Sequence, residues 1–257
     1  AGQGPYYNPT LHSPGDSARY SGYTTDVITD RALAWVDANR TADRPFLLML
    51  QFNATHRYWD PGPAQLGLFR DSMIAEPVTL WDDGAGRVFG TREPEMHIGL
   101  DLFDRDLKLE APAGLTPEQR AAWDAAYGPE NEAYLAAGLS GDALIRWRYQ
   151  RYIQDYMRVV IGMDQALCRV LDFLDRTGLA DETVVVYTSD QGFFLGDRGW
   201  FDKRWMYEES LRTPLLVRWP GVVQPGSVNE DLVMNLDIAQ TLLEIGGAPA
   251  PAEMQGL

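Results

Sequence analysis

The chain has 257 residues, long enough for one large α/β domain with a substantial core. Its 37 acidic and 22 basic side chains leave a formal charge of -15, a field that opposes phosphate backbones and anionic membrane surfaces, so neither is an expected partner. No apolar run approaches a membrane span, and the single cysteine, Cys168, excludes an intrachain disulfide and a Cys-rich metal site.

Residues 1–22 are rich in Gly, Pro, Asn and Ser, hold no period and read as loop; they carry no basic region followed by an apolar stretch, so they are not a signal peptide. Residues 24–39 place Ile28, Ala32 and Trp35 at helical spacing, with Thr24 or Thr25 as the expected cap and Asp26 at the positive end. The run PFLLMLQF from Pro45 is short and continuously apolar, which predicts a central strand covered on both faces. Residues 60–145 have a different texture, with acidic and Pro-containing segments that predict an irregular excursion. Within it, Thr116, Pro117 and Gln119 form a helix start.

A long helical pattern then runs from Trp147 to Thr177 and stops near Gly178, with Cys168 expected as a buried structural thiol on its apolar face. Strands are predicted at Glu182–Ser189 and Pro214–Trp219, and a last helix at Met234–Ile245, ended by Gly246 and Gly247. Strands separated by helices favour an α/β fold with a largely parallel sheet, and nothing divides the chain into two domains.

Ligands of open α/β sheets collect beyond the C-terminal ends of the strands. Two groups occupy such positions: Asn53 to His56 after PFLLMLQF, and Asp190-Gln191-Gly192 after TVVVYTS. Asp190 offers a carboxylate oxygen and Gln191 a neutral carbonyl oxygen, both suited to Ca²⁺ or Mg²⁺; the same residues also suit a plain strand-to-loop turn. Lys203, thirteen residues past Asp190, follows Gly192, Gly196 and Gly199 and could fold back to neutralise an anion, or face solvent beside Asp202. His56 is one of three histidines, with His12 and His97. Just past a strand it could donate to an anion or protonate a leaving oxygen, or serve as a structural hydrogen-bonding group.

The run from Tyr187 to Pro214 (YTSDQG, the Gly196/Gly199 loop, Asp202-Lys203, YEES and Arg212-x-Pro) resembles the metal-and-lysine segment of the type I, formylglycine-dependent sulfatases, which have an alkaline-phosphatase-like fold. Upstream, GYTTDVITDRALAWV and PFLLMLQFNATH resemble that family's helix, strand and sulfate-binding histidine; the resemblance is weakest across 60–145. It implies Asp190 and Gln191 as metal ligands, Lys203 and His56 as sulfate-contacting catalytic residues, and Ca²⁺ as the ion, with Mg²⁺ the lesser choice. Arg198 stands where relatives often carry histidine, and Thr55 where proline is common. Arg198, Tyr207, Glu208, Arg212 and Asn53 are the supporting or substrate-side residues it suggests.

No Cys/Ser-x-Pro-x-Arg segment occurs, so the formylglycine nucleophile and two acidic metal ligands are expected upstream, in a missing N-terminal part of the same domain. The chain is then a partial catalytic domain, inactive alone, with 60–145 shaping the substrate side. The implied activity is hydrolysis of sulfate esters on an anionic sulfated glycan or small molecule, in a periplasmic, extracellular or lysosome-like setting. Two alternatives stand beside it: a phosphodiesterase or phosphonate monoester hydrolase on the same fold, and a degenerate, non-catalytic domain.

Overall fold

A computed structural model describes residues 4–41, 43–87 and 95–256 of the chain. Its spine is α3 (Gly141–Arg176), a 36-residue helix that begins six residues before the expected Trp147. Tyr149, Tyr152, Ile153 and Val159 fall on one face of the helix and are buried, so that stripe forms a floor for the core. Helix α1 (Thr24–Asn39) lies along α3, where Arg169 pairs with Asp26 and Asp30. Helix α2 (Pro117–Ala137) starts on the expected capping box: Thr116 Oγ1 accepts from the Gln119 N–H at 3.3 Å, and Gln119 Oε1 from the Thr116 N–H at 2.8 Å.

Several expectations need correction. The N-cap of α1 is Tyr23, without a side-chain cap, because Thr24 and Thr25 lie buried inside the first turn and Thr24 Oγ1 donates instead to the Pro5 carbonyl at 2.7 Å. The N-terminal loop contains a hairpin, β1 (Thr10–Ser13) with β2 (Asp16–Arg19). Residues 45–52 form no ladder among the described residues; Phe46, Leu48, Leu50 and Phe52 are half-buried while Pro45, Leu47, Met49 and Gln51 are exposed. That is the period-2 alternation of an extended segment with one covered face, not of a strand covered on both. Cys168 is exposed, because it falls off the stripe that carries buried Ala166.

Strand β3 (Val185–Thr188) pairs antiparallel with β6 (Leu215–Arg218), and β4 (Phe194–Leu195) with β5 (Phe201–Asp202). The ladders among the described residues are all antiparallel, and they do not supply the expected largely parallel sheet. A single turn, α4 (Glu208–Leu211), precedes β6, and α5 (Asn235–Ile245) ends at Gly246 and Gly247 as expected. Among the described residues, no helix is long and apolar enough to cross a membrane.

The core is aromatic. Trp59 is fully enclosed, with Tyr152 at 4.7 Å, Phe201 at 5.9 Å and Phe193 at 6.2 Å between ring centres, all in edge-on geometries.

Candidate active site

Two segments of the expected site meet at this aromatic hub. The first is the turn 53–61. His56 N–H donates to the Asn53 carbonyl at 2.8 Å, and Trp59 N–H to the His56 carbonyl at 3.2 Å. Three tyrosines from the N-terminal segment clamp it from outside. Tyr6, Tyr7 and Tyr23 hydroxyls donate to the carbonyls of His56 (2.6 Å), Pro61 (2.5 Å) and Asp60 (3.1 Å). Burial raises all three phenol pKa values, with neighbouring phenols or the charge of Asp60 adding to it except where a hydrogen bond from Thr25 opposes it at Tyr23, so these groups stay protonated donors. Thr55 fastens the turn to α3 through its hydroxyl, 3.1 Å from Tyr156 Oη.

His56 is half-buried, and its Nδ1 lies 3.1 Å from the Arg57 carbonyl. A carbonyl can only accept, so that bond puts the ring hydrogen on Nδ1 and leaves Nε2 for other partners. Asn53 is buried; its Nδ2 reaches the Pro5 carbonyl at 3.4 Å, while its Oδ1 is buried with no hydrogen-bond partner in the described structure.

The second segment runs from β3 to α4. Asp190 and Gln191 follow one residue after β3, past Ser189, and are both exposed. Asn235, the first residue of α5, donates its Nδ2 to the Asp190 carbonyl at 3.0 Å. Gly192 is needed for a reason other than turn flexibility. Its N–H donates to the Ser210 carbonyl at 2.9 Å, and a Cβ there would collide with the Glu209 carbonyl oxygen. Only glycine lets the post-β3 backbone lie this close to α4.

Phe193 then stacks on Tyr156, with ring centres 5.5 Å apart, and Lys203 Nζ lies 5.5 Å over the Phe193 ring. The lysine is 15% exposed, 4.0 Å from the buried Asp202 carboxylate, which also takes Arg204 at 2.9 Å. Ser210 Oγ donates to the Lys203 carbonyl at 3.0 Å, so α4 holds the backbone of Lys203 as well as that of Gly192. Lys203, Phe193, Tyr156, Thr55 and His56 thus form a continuous run of contacts and chain neighbours.

The supporting residues are placed less uniformly. The Arg198 guanidinium lies 4.4 Å over the Tyr207 ring and 3.4 Å from the Glu209 carboxylate. Tyr207 also packs on Trp200, at 5.6 Å. Glu208 and Arg212 are exposed, and their visible link is the Arg212 N–H to the Glu208 carbonyl, 2.8 Å. Sequence reasoning missed Glu209, the residue that meets Arg198, and also His97. A backbone bridge from His97 to Trp200 sets the His97 ring beside Gly199, with Nδ1 accepting the Gly99 N–H at 3.0 Å. Burial lowers the His97 pKa against the opposing charge of Asp101. Neither partnership has a local sequence signal: His97 and Trp200 are far apart in the chain, and Arg198 and Glu209 are brought together by a turn rather than by a helix or strand period.

Among the described residues no cluster of three or more His, Cys, Asp or Glu side chains forms a complete metal site. Asp190 and Gln191 nevertheless fit a hard cation: two adjacent, exposed side chains with oxygen donors at a strand end, part of the six to eight that Ca²⁺ takes.

The chain has close counterparts among known proteins. Residues 196–257 match the C-terminal family of N-sulphoglucosamine sulphohydrolase. Over 99% of its length the chain is 40% identical to an N-acetylglucosamine-6-O-sulfatase of Bacteroides thetaiotaomicron, of which it spans 48%. A solved structure described as in complex with its substrate D-glucosamine-2-N,6-O-disulfate superposes with a TM-score of 0.94 at 40% identity, covering 99% of this chain and 55% of that one. The phosphonate monoester hydrolase of Silicibacter pomeroyi shares the fold alone, at a TM-score of 0.50 and 21% identity over 98% of this chain and 44% of that one. The fold is therefore the α/β fold of the alkaline-phosphatase-like superfamily. Within that superfamily, the chain belongs to the sulfatase family. It spans about half the length, or less, of the curated relatives it matches.

Proposed function

We propose that this chain is part of a sulfatase that hydrolyses sulfate esters of a sulfated glucosamine-type carbohydrate. The observation that carries the reading is the 40% identity, over 99% of the chain, to an N-acetylglucosamine-6-O-sulfatase. The compound named with the similar solved structure, D-glucosamine-2-N,6-O-disulfate, supports the same substrate class.

In this reading Asp190 and Gln191 contribute two oxygen ligands to Ca²⁺, and the remaining acidic ligands and a formylglycine lie upstream of Ala1. When bound, the ion supplies positive charge to the sulfuryl oxygens and the formylglycine supplies the nucleophile. Lys203 adds a fixed cation: seated on the Phe193 ring and pinned at its carbonyl by Ser210, it meets an anionic group with little reorganisation. His56, with Nδ1 committed to the Arg57 carbonyl, presents Nε2 to the substrate, where its protonated form donates to a sulfuryl or leaving oxygen. In a protein of charge -15 these local cations are what admit an anionic ester.

The same upstream part supplies the strands that complete the largely parallel sheet, pairing with the unladdered segment 45–52, and residues 60–145 line the substrate side. A periplasmic, extracellular or lysosome-like location follows from the family reading. The test is sulfate release from glucosamine 6-O-sulfate and from an activated aryl sulfate by the complete enzyme with Ca²⁺. Turnover of both, abolished by Asp190→Ala, is expected. A preference for phosphate diesters or phosphonate esters, or turnover insensitive to Asp190→Ala, would overturn the assignment.

A further inference from the structure

We propose that Asp106 is a positioning residue for this reaction, acting through Arg57 to hold the His56 turn against the segment that delivers Lys203. The proposal rests on the sulfatase reading for what His56 and Lys203 do. Arg57 is the residue after His56. Its Nε donates to Asp106 Oδ1 at 2.6 Å and its Nη2 to Asp106 Oδ2, a bidentate pair in which the carboxylate is fully enclosed and the guanidinium side chain keeps 23% exposure.

The guanidinium carbon lies 5.0 Å from the Phe201 ring centre and 5.2 Å from that of Phe103. Phe201 stands two residues before Lys203 and packs on Trp59 from the His56 turn. Arg57 therefore touches both halves of the site, and the direction of its side chain is set at Asp106.

Asp106 is itself held rigidly. Its Oδ2 also accepts the Phe103 N–H at 2.8 Å, and its carbonyl accepts Lys108 Nζ at 2.9 Å. Lys108 Nζ donates in addition to the Tyr58 carbonyl at 2.6 Å, so the 103–108 loop grips the turn at two successive residues after His56. Burial works against the charge on Arg57, but the hydrogen bond and charge of Asp106 raise its pKa, so the guanidinium stays charged. The tyrosine clamps fix carbonyls of the turn; Arg57, aimed by Asp106, adds to the Trp59–Phe201 packing a second, directional tie from the turn to Phe201. A catalytic group displaced by about 1 Å can lose on the order of 100-fold in rate, which makes such a tie matter for turnover.

The experiment compares wild type, Arg57→Gln, Arg57→Lys, Asp106→Asn and the double variant Arg57→Gln/Asp106→Asn in the complete enzyme. It measures kcat and KM on an aryl sulfate, the thermal midpoint, and hydrogen exchange of the His56 amide. Absence of wild-type turnover would sink the sulfatase reading itself and is seen before any variant is compared. With turnover present, kcat is expected to fall roughly 10- to 100-fold in each single variant with KM within about threefold. The double variant should be no worse than the weaker single one, and the His56 amide should exchange faster in all of them. Arg57→Lys, which keeps charge but not the bidentate fork, should recover only part of the loss. If Asp106→Asn does not fold, the partly exposed Arg57 variants decide alone. A lower midpoint with kcat within about twofold of wild type would show a purely structural pair and overturn the proposal.

Discussion

The two sides of the candidate site are built differently. Around His56 and Lys203 the chain packs closely on itself. Trp59 is fully enclosed, and Lys108 is buried with Asp60 and Asp155 each 3.8 Å from its ammonium. Burial depresses the Lys108 pKa while the charges of Asp155 and Asp60 oppose that shift, and Arg105 shares Asp60. Around Asp190 and Gln191 the opposite holds. Leu216 is 65% exposed on β6, Leu232 is 95% exposed, and α5 buries none of its residues. A buried ionic network whose charges offset one another can stand alone, whereas an apolar strand face without a cover cannot hold a ligand set rigidly. The side around Lys203 and His56 is thus preorganised by this chain, and the proposed metal side around Asp190 and Gln191 is left open by it. That contrast agrees with the proposal that the remaining metal ligands lie upstream.

The contrast can be broken by substitution. Trp59→Ala removes the hub of four rings and should destabilise by about 3–5 kcal/mol, read as a denaturant midpoint; a loss of under 1 kcal/mol would mean the hub is not the keystone described. Gly192→Ala drives a methyl into the Glu209 carbonyl and should cost about 1–3 kcal/mol, with α4 loosened in hydrogen exchange; unchanged protection of the Ser210 region would contradict the close approach. On the other side, Leu232→Ala should change stability by no more than about 0.5 kcal/mol, and a larger loss would place a cover over it.

A smaller effect tests the His97 bridge. Its folded pKa lies below the ordinary 6.5, so the unfolded state binds the proton more readily. The stabilisation is present above pH 6.5 and is lost as pH falls through the folded value. Thermal midpoints taken between pH 7 and pH 5 should therefore flatten in His97→Gln relative to wild type, and parallel curves would exclude the histidine as their source.

Legibility followed locality. The α2 capping box, the end of α5 at paired glycines and the place of β6 were readable because each depends on residues a few positions apart. The order Asp190, Lys203 and His56 was readable as resemblance, and the structure links Lys203 to His56 through Phe193, Tyr156 and Thr55. The clasp of Arg57 on Asp106 spans 49 positions, and that of Arg198 on Glu209 joins the 196–199 turn to α4; no periodicity announces either. Residues 45–52 misled for a related reason. Composition predicts that a run is apolar, but which faces are covered depends on neighbours that the run does not contain.

The most direct test of the central claim, that a preorganised Lys203 serves sulfate-ester chemistry, is kcat/KM on an aryl sulfate for Lys203→Ala and wild type in the complete enzyme, with a denaturation midpoint for each. The account predicts a loss of roughly 10²–10³ in kcat/KM, about 2–4 kcal/mol of transition-state stabilisation, with the midpoint nearly unchanged. A kcat/KM near wild type, or a fall that tracks a large loss of stability, would contradict it.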